Sequence, residues 1–233
     1  MTDRSAVLAK LARLAAANAD SRHLADRLCE AARLILQADG AWLTVHEPGA
    51  GQLRLSATDE TASALEELQD LLGEGPCLTA LREAAPLTTV VADRFDNRWP
   101  EFTRAALERV GELTVHAHPM RPDNQAFGVL GLYLRPGNTW TAESFETAQF
   151  LADTIAAALL KDPIPKLERG LDGGMWSARA EVHQATGMVI VQLHVPPADA
   201  LALLRAHAYA HDATLGEIAH QVVTRQLDFR GDS

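Results

Sequence analysis

The sequence has few cysteines, few aromatic residues and far fewer basic than acidic side chains. Two of its 233 residues are cysteine, 5% are aromatic, and the formal net charge is −10. Two cysteines without a CxxC pair exclude a disulfide framework and a zinc ribbon. An acidic chain is also not typical of general nucleic-acid binders, because binding to phosphate favours basic patches.

Long apolar runs are absent as well. No stretch approaches the roughly 20 apolar residues that a membrane-spanning helix needs, and the first twenty residues lack the pattern of a signal peptide because Lys10 and Arg13 interrupt their leucines. We therefore expect a cytoplasmic protein with no membrane partner. Hydrophobic residues at 47% and charged residues at 22% are typical of a globular protein.

The length and one change in composition predict two domains. A chain of 233 residues suits one domain of roughly 150 residues and a smaller one. Residues 161–175 hold two prolines and three glycines and predict a linker. We expect an N-terminal helix in 1–20, a first domain over 21–160 and a second over 176–230. From Lys166 onward the net charge is about −2, and five of the nine histidines fall there.

The first domain combines helical and strand patterns. Apolar residues at spacings of three and four predict a helix over 5–17, and its stripe would be exposed on an isolated helix, which favours a homodimer. The stripe comprises Val7, Leu8, Leu11, Leu14 and Ala15. Ser21 is predicted to cap a second helix, Ser63 and Glu66 match a capping box, and Thr141 is predicted to cap a long helix.

Strand signals and a second helical region complete the pattern. Alternation over 41–47 and 51–58 predicts a hairpin, and further strands are predicted over 88–93, 113–120 and 125–137. From Trp176 on, three short helices are predicted, the second with Pro197 in its first turn and the third opened by a capping box at Thr214 and Glu217.

Six segments of the chain resemble two known domain families. GEGPCLTALREAAPL at 73–87, DNRWPEFTRAALERVG at 96–111 and FGVLGLYLRPG at 127–137 resemble the GAF domains of actinobacterial regulators. RAEVHQATGMVIVQLHV at 179–195, ADALALLRAHAYAHDATL at 198–215 and GEIAHQVV at 216–223 resemble an ANTAR domain. The resemblance implies an α+β N-terminal domain, with an antiparallel sheet flanked by helices, and an all-α three-helix C-terminal domain.

The resemblance also implies a function. ANTAR domains are associated with RNA-binding transcription antitermination, and GAF domains bind small molecules or act as protein-interaction and dimerisation modules. We therefore expect a signal-responsive regulator that binds RNA hairpin loops, with an unknown small-molecule or protein signal at the GAF-like domain. The alternative is a protein-interaction scaffold that binds no RNA, which the acidic charge favours. No nucleophile–base pair, metal cluster or cofactor loop is evident, so we expect neither catalysis nor a cofactor.

The RNA-binding candidates follow from the ANTAR resemblance. Thr186 departs from the pattern, because family members often carry a basic residue there. Gly187 has the alternative role of letting another backbone pack closely, and Arg205 could instead pair with Asp199 or Asp212. The full set is Arg179, Gln184, Thr186, Gly187, Arg205, His207, His211 and Arg225.

Candidates for a ligand pocket lie in the GAF-like domain. His116 and His118 are two apart on a predicted strand, so they share a face, and we expect them on the inner face of the sheet, where a pocket would be. They lack the further ligands of a metal site. Cys77 could be an exposed reactive thiol, although a buried apolar role is the simpler interpretation. Trp42 is the fourth candidate.

Overall fold

The computed structural model describes residues 3–17, 23–47, 51–92, 98–121, 125–161, 174–211 and 213–230. The chain divides into two compact units, Met1–Leu167 and Glu168–Ser233. Most of the linker predicted over 161–175 lies outside the described residues. Each unit is therefore described by itself.

The first unit contains six helices and five strands within its described residues, in the α+β class predicted from the sequence. The helices are α1 (Arg4–Ala16), α2 (Leu24–Leu36), α3 (Glu60–Leu72), α4 (Pro76–Glu83), α5 (Pro100–Val110) and α6 (Ala142–Lys161). The strands are β1 (Gly40–Glu47), β2 (Gly51–Ala57), β3 (Leu87–Val91), β4 (Leu113–Met120) and β5 (Gly128–Leu134). The strands form one sheet in the order β2-β1-β5-β4-β3, and every neighbouring pair is antiparallel.

Local signals located most of these elements, although two helix starts differ from expectation. The hairpin is confirmed, since β1 pairs with β2 from Trp42 to Glu47. Thr141 is confirmed as a cap, because its Oγ1 accepts from the Ser144 N–H at 3.2 Å. The capping box predicted at Ser63 is wrong. Helix α3 begins at Glu60, and the Asp59 carboxylate accepts from the third N–H of the helix at 2.9 Å.

The N-cap predicted for α2 is also displaced. The helix begins at Leu24, and its N-cap residue is His23, which makes no side-chain capping bond. Ser21 lies outside the described residues. At its other end α2 closes through Gln37, which adopts the left-handed conformation at φ 54°. Strand β1 begins at Gly40, one residue before the strand predicted over 41–47.

The stripe of α1 is largely covered within its own unit. Val7, Leu11 and Ala15 are buried, and the Arg27 guanidinium of α2 donates to the Ala15 carbonyl at 2.9 Å. Only Leu8, at 41%, has a large exposed fraction. The expectation that this stripe is exposed is therefore wrong, because α2 packs against it, and it no longer motivates a dimer.

The sheet is covered on both faces. Helices α3, α4 and α5 pack on one face, and α2 and α6 pack on the other. We call these the α3 face and the α6 face. In β4 and β5 nearly every residue is buried, so both faces of the central strands contribute to the core.

The second unit contains three helices among its described residues: α7 (Gly174–Leu193), α8 (Pro197–Ala210) and α9 (Leu215–Val223). Pro197 occupies the first turn of α8, as predicted. Thr214 and Glu217 form the predicted capping box, with the Thr214 N–H donating to the Glu217 carboxylate at 2.8 Å. The small core is made of Ala185, Val189, Ala200, Leu204, Ala208, Leu215, Ile218, Ala219 and Val222. The structure thus has the predicted all-α second domain.

Candidate functional site

Trp42 and Cys77 lie together in the core of the α3 face. Trp42 is fully buried and pairs across the sheet with Gly131, where a Cβ atom would collide with the indole ring. Glycine is needed there because the ring lies across β5. The side chains of Leu65, Trp99 and Phe102 belong to the same cluster. On this face the described side chains pack against one another around the candidate residues.

Cys77 is a buried neutral thiol. It is 2% exposed, and its N–H donates to the Gln69 Oε1 at 2.7 Å at the start of α4. Burial raises the pKa of the Cys77 thiol to about 12, against smaller opposing effects of Gln69 and Trp42. A thiol that stays protonated and covered is a poor nucleophile. The structure therefore agrees with the buried apolar role for this residue.

His116 and His118 lie on the opposite face of the sheet, against α6. The His116 ring stacks on Trp140 with centroids 4.3 Å apart and planes 17° apart, and its Nδ1 is hydrogen-bonded to Thr88 Oγ1 at 2.9 Å. The His118 ring centroid is 4.7 Å from that of Phe145 in α6. The two histidines share a face, as predicted. It is not the face of Trp42 and Cys77, so the four residues do not form one pocket.

Burial keeps both imidazoles neutral. It lowers the pKa of His116 to about 4. It lowers the pKa of His118 to about 3, with further lowering from His116 and Arg121 and an opposing effect of Gln149. Both ring nitrogens of His118 and the Gln149 Oε1 are buried without a hydrogen-bond partner at ordinary distance among the described residues. His118 and Gln149 are therefore buried polar side chains with incomplete hydrogen bonding in the otherwise apolar contact between β4 and α6.

The structure brings no further metal-ligand side chain to His116 and His118, since no group of three or more His, Cys, Asp or Glu residues in the described ranges is placed to hold a metal ion. The ring faces of His116 and His118 are instead covered by Trp140 and Phe145.

A cleft of about 450 Å³ opens beside the α6 face. Its walls are α1, the end of α2, the segment before α6 and the first turns of α6. Trp140 lines it, and the same indole donates to the Leu36 carbonyl at 3.1 Å. The cleft contains both Lys10 and the acidic residues Asp3 and Glu143, so it has no dominant charge. Periodicity in the sequence gave no signal for this cleft, because its residues come from distant segments.

The RNA-binding candidates of the second unit fall into separate groups. Gln184 and Gly187 are exposed on α7, whereas Thr186 is half-buried and its hydroxyl donates to the Val182 carbonyl of its own helix at 2.7 Å. The side chain of Arg205 on α8 is half-buried, and its Nε atom is buried. Arg225 follows α9 and is exposed in the left-handed conformation. The side chain of Arg179 lies outside the described residues.

His207 and His211 stack on each other at the end of α8. Their ring centroids are 4.0 Å apart, and the His211 Nδ1 is 2.8 Å from the His207 carbonyl oxygen. Phe229 approaches His207 edge-on at 5.4 Å, and its N–H donates to the Gln192 Oε1 at 3.2 Å. The residues after α9 thus return to α7 and α8. No local sequence pattern marks this contact, so it could not be predicted.

Comparison with known protein families assigns each of the two units to a domain family. The model of the GAF domain family matches residues 18–160, and that of the ANTAR domain family matches residues 176–223. No curated protein matches the chain. No helix in the described ranges is both long and apolar enough to cross a membrane.

Several solved structures resemble part of this chain. A GAF domain/HD domain protein from Geobacter sulfurreducens is 17% identical, with 57% of this chain and 87% of that chain covered and a TM-score of 0.46. The GAF domain of A. aeolicus nlh2 in an inactive state is 11% identical, with 67% and 97% covered and a TM-score of 0.48. The GAF-B domain of DevS from Mycobacterium smegmatis is 22% identical, with 57% and 88% covered and a TM-score of 0.39.

These TM-scores are below 0.5, so the assignment rests on the two family models, of which the first covers more than half of the chain. Neither family is an enzyme family; one consists of sensor domains and the other of RNA-binding regulatory domains. The chain belongs to the GAF domain family and carries a C-terminal ANTAR domain, which makes it a regulator of the GAF and ANTAR type.

Proposed function

We propose that this protein promotes transcription antitermination by binding RNA hairpins through its ANTAR domain, under the control of a signal at its GAF domain. The observation that carries the proposal is the ANTAR match over residues 176–223, which coincides with the helices α7, α8 and α9. Because the target would be nascent RNA, the protein would act in the cytoplasm. It would do so without catalysis.

The signal at the GAF domain is an unidentified small molecule or protein. On the α3 face, Trp42 and Phe102 are fully buried, so a small molecule entering there has to displace packed rings. A protein signal needs no cavity. Either signal changes RNA binding only if it binds two arrangements of the chain with unequal affinity.

A homodimer would raise the affinity for paired hairpins. Two linked ANTAR domains meet two hairpins at a high effective concentration. Sedimentation at micromolar concentration tests this, and a monomer there contradicts the dimer.

The experiment for RNA binding is a gel-shift assay with RNA carrying two hairpins, at low and moderate salt, followed by a terminator read-through assay with purified RNA polymerase. We expect a shifted complex and increased read-through. Absence of a complex even at low salt contradicts RNA binding, because low salt favours every contact to phosphate. A complex without increased read-through contradicts antitermination alone.

A scaffold that binds no RNA is the second candidate. The net charge of about −2 from Lys166 onward favours it, because a basic surface is the usual electrostatic mark of RNA binding. The same gel-shift assay separates the two functions.

A further inference from the structure

The cleft beside the α6 face is open, whereas the α3 face of the same unit is packed. The cleft volume of about 450 Å³ lies within the range of small-molecule sites, roughly 300–1,000 Å³. On the α3 face, the rings of Trp42 and Phe102 are fully buried in the core. A small molecule can therefore enter the cleft without displacing a core side chain.

One wall of the cleft is a stripe of α1 with opposite charges at its two ends. Asp3, Ala6, Val7 and Lys10 all line the cleft. Their spacing of three and four residues places them on one side of the helix. Asp3 and Lys10 are seven positions apart in the sequence, which corresponds to about 10 Å along the helix axis. The stripe thus presents a carboxylate and an ammonium group with small apolar side chains between them.

Both charged groups have bonding capacity that the chain does not use. The Asp3 Oδ1 accepts from the backbone N–H groups of Ser5 and Ala6, at 3.0 and 3.4 Å, and these bonds hold the carboxylate in place. The Asp3 Oδ2 and the Lys10 ammonium group have no partner among the described residues. Glu143 also lines the cleft, but it has an interaction within the chain. Asp3 and Lys10 are therefore the charged groups of the cleft that remain open to a ligand.

Another wall of the cleft is an indole ring in a fixed position. Trp140 stacks on His116 at a centroid distance of 4.3 Å, and its N–H donates to the Leu36 carbonyl at 3.1 Å. The half-buried indole also lines the cleft. A ring that is already held in place can contact a ligand with little further loss of conformational entropy. It offers a flat apolar surface to the carbon atoms of that ligand.

The charges of the cleft select a ligand that carries both signs. A simple anion would meet the carboxylates of Asp3 and Glu143, and a simple cation would meet the ammonium group of Lys10, so each would face a like charge. A zwitterion places its ammonium group at Asp3 and its carboxylate at Lys10. Each charged hydrogen bond spans about 2.8 Å, so two groups about 10 Å apart leave roughly 5 Å between the charges of the ligand. The flexible lysine side chain can shorten this span, and the ligand is therefore compact.

We propose that the cleft between α1 and the start of α6 is a binding site for a small zwitterion of the amino-acid class. Asp3 binds its ammonium group, Lys10 binds its carboxylate, and Trp140 covers its carbon atoms. The role of this ligand as the signal of the GAF domain rests on the proposed function. Its binding to the first unit does not.

The test is isothermal titration calorimetry of the full-length chain with the common L-amino acids and β-alanine. We expect at least one of them to bind with a Kd below about 1 mM. The methyl ester of that amino acid lacks the carboxylate charge, and its N-acetyl derivative lacks the ammonium charge. Each derivative should bind at least about tenfold more weakly, because it loses one charged hydrogen bond. The inference is wrong if no amino acid binds, or if either derivative binds as tightly as the zwitterion.

A matched set of substitutions locates the site. Lys10→Gln removes the cation of the cleft, and Arg13→Gln removes a cation of the same helix that does not line the cleft. Asp3→Asn removes the anion and keeps a residue that caps helices as well as aspartate does. Lys10→Gln and Asp3→Asn should each weaken binding by at least about tenfold, and Arg13→Gln should bind as the wild type does. All three positions are exposed, so the variants should keep the wild-type melting temperature. Equal affinity in Lys10→Gln and Arg13→Gln overturns the assignment.

The site and the proposed function fail separately. Binding of an amino acid without any RNA complex in the gel-shift assay contradicts RNA binding and leaves the site in place. An RNA complex without amino-acid binding contradicts the site alone. Where both are found, the ligand should change the RNA affinity of the wild type and not that of Lys10→Gln. An RNA affinity that the ligand leaves unchanged in the wild type shows that this ligand is not the signal.

Discussion

Lowering the pH should destabilise the first unit through His116 and His118. Burial lowers their pKa values to about 4 and about 3, from 6.5. Below pH 6.5 the unfolded chain binds protons that the folded unit does not. The stabilisation is therefore complete above the unfolded pKa and is lost as the pH falls. When the pH falls from 7.5 to 5.5, each buried imidazole should lower the unfolding free energy of the first unit by about 1.4 kcal/mol. The two together should lower it by about 3 kcal/mol.

Urea unfolding followed by tryptophan fluorescence at pH 7.5 and 5.5 measures this loss, because three of the four tryptophans belong to the first unit. Carboxylates also titrate with pH, so the informative quantity is the difference between variants. His118→Gln should remove about 1.4 kcal/mol of the pH dependence. The matched control, His23→Gln, replaces an exposed imidazole at the start of α2 and leaves both buried imidazoles in place.

A direct measurement does not depend on how the variants fold. In an NMR titration of the wild-type chain, the ring resonances of His116 and His118 should not shift with pH above about 5. The charged groups around His118 are Arg121 and its partner Asp153, whose closest side-chain atoms are 3.9 Å apart. If either imidazole titrates near pH 6.5, the burial argument is wrong. Equal pH dependence in His118→Gln and wild type would refute it as well.

Three further predictions follow from other contacts. Gly131→Ala should destabilise the first unit by about 1–3 kcal/mol in urea unfolding, because the new methyl group collides with the buried indole over β5; an unchanged midpoint contradicts this packing. Thr214→Ala should lower the unfolding free energy of the second unit by about 1 kcal/mol through loss of the capping box, while Thr214→Ser retains it. Cys29 and Cys77 should resist a thiol reagent in the native chain and react in urea, because burial raises both thiol pKa values; rapid native modification of either would show that it is accessible.

Signals carried by neighbouring residues predicted the local structure well. Thr141, Pro197 and Thr214 were placed correctly because a cap or a first-turn proline acts within three or four residues of the helix start. The capping box at Ser63 failed because Asp59, four residues earlier, offers a competing cap, and its carboxylate also accepts from the Tyr133 hydroxyl at 3.2 Å. That second contact spans 74 residues of sequence, so no local pattern could rank the two caps.

The candidate sites were less predictable than the elements that carry them. Alternation along β4 placed His116 and His118 on one face, and the structure agrees. The sequence could not predict which face of the sheet they occupy. Nearly all of β4 is buried, so alternation of polar and apolar residues does not distinguish its two faces. For the same reason Trp42 and Cys77 were grouped with two histidines from the other side of the sheet.

The sequence by itself determined the two families, the two-unit architecture and most helix and strand positions, because these depend on periodicity, caps and motifs within short segments. Tertiary structure alone decided which helices cover each face of the sheet, and it showed that packed rings occupy the α3 face and that the stripe of α1 is covered. It also showed that no neighbouring side chain in the described residues requires the glycine at position 187. Such facts depend on contacts between distant segments, and a linear pattern does not encode the empty space around a residue.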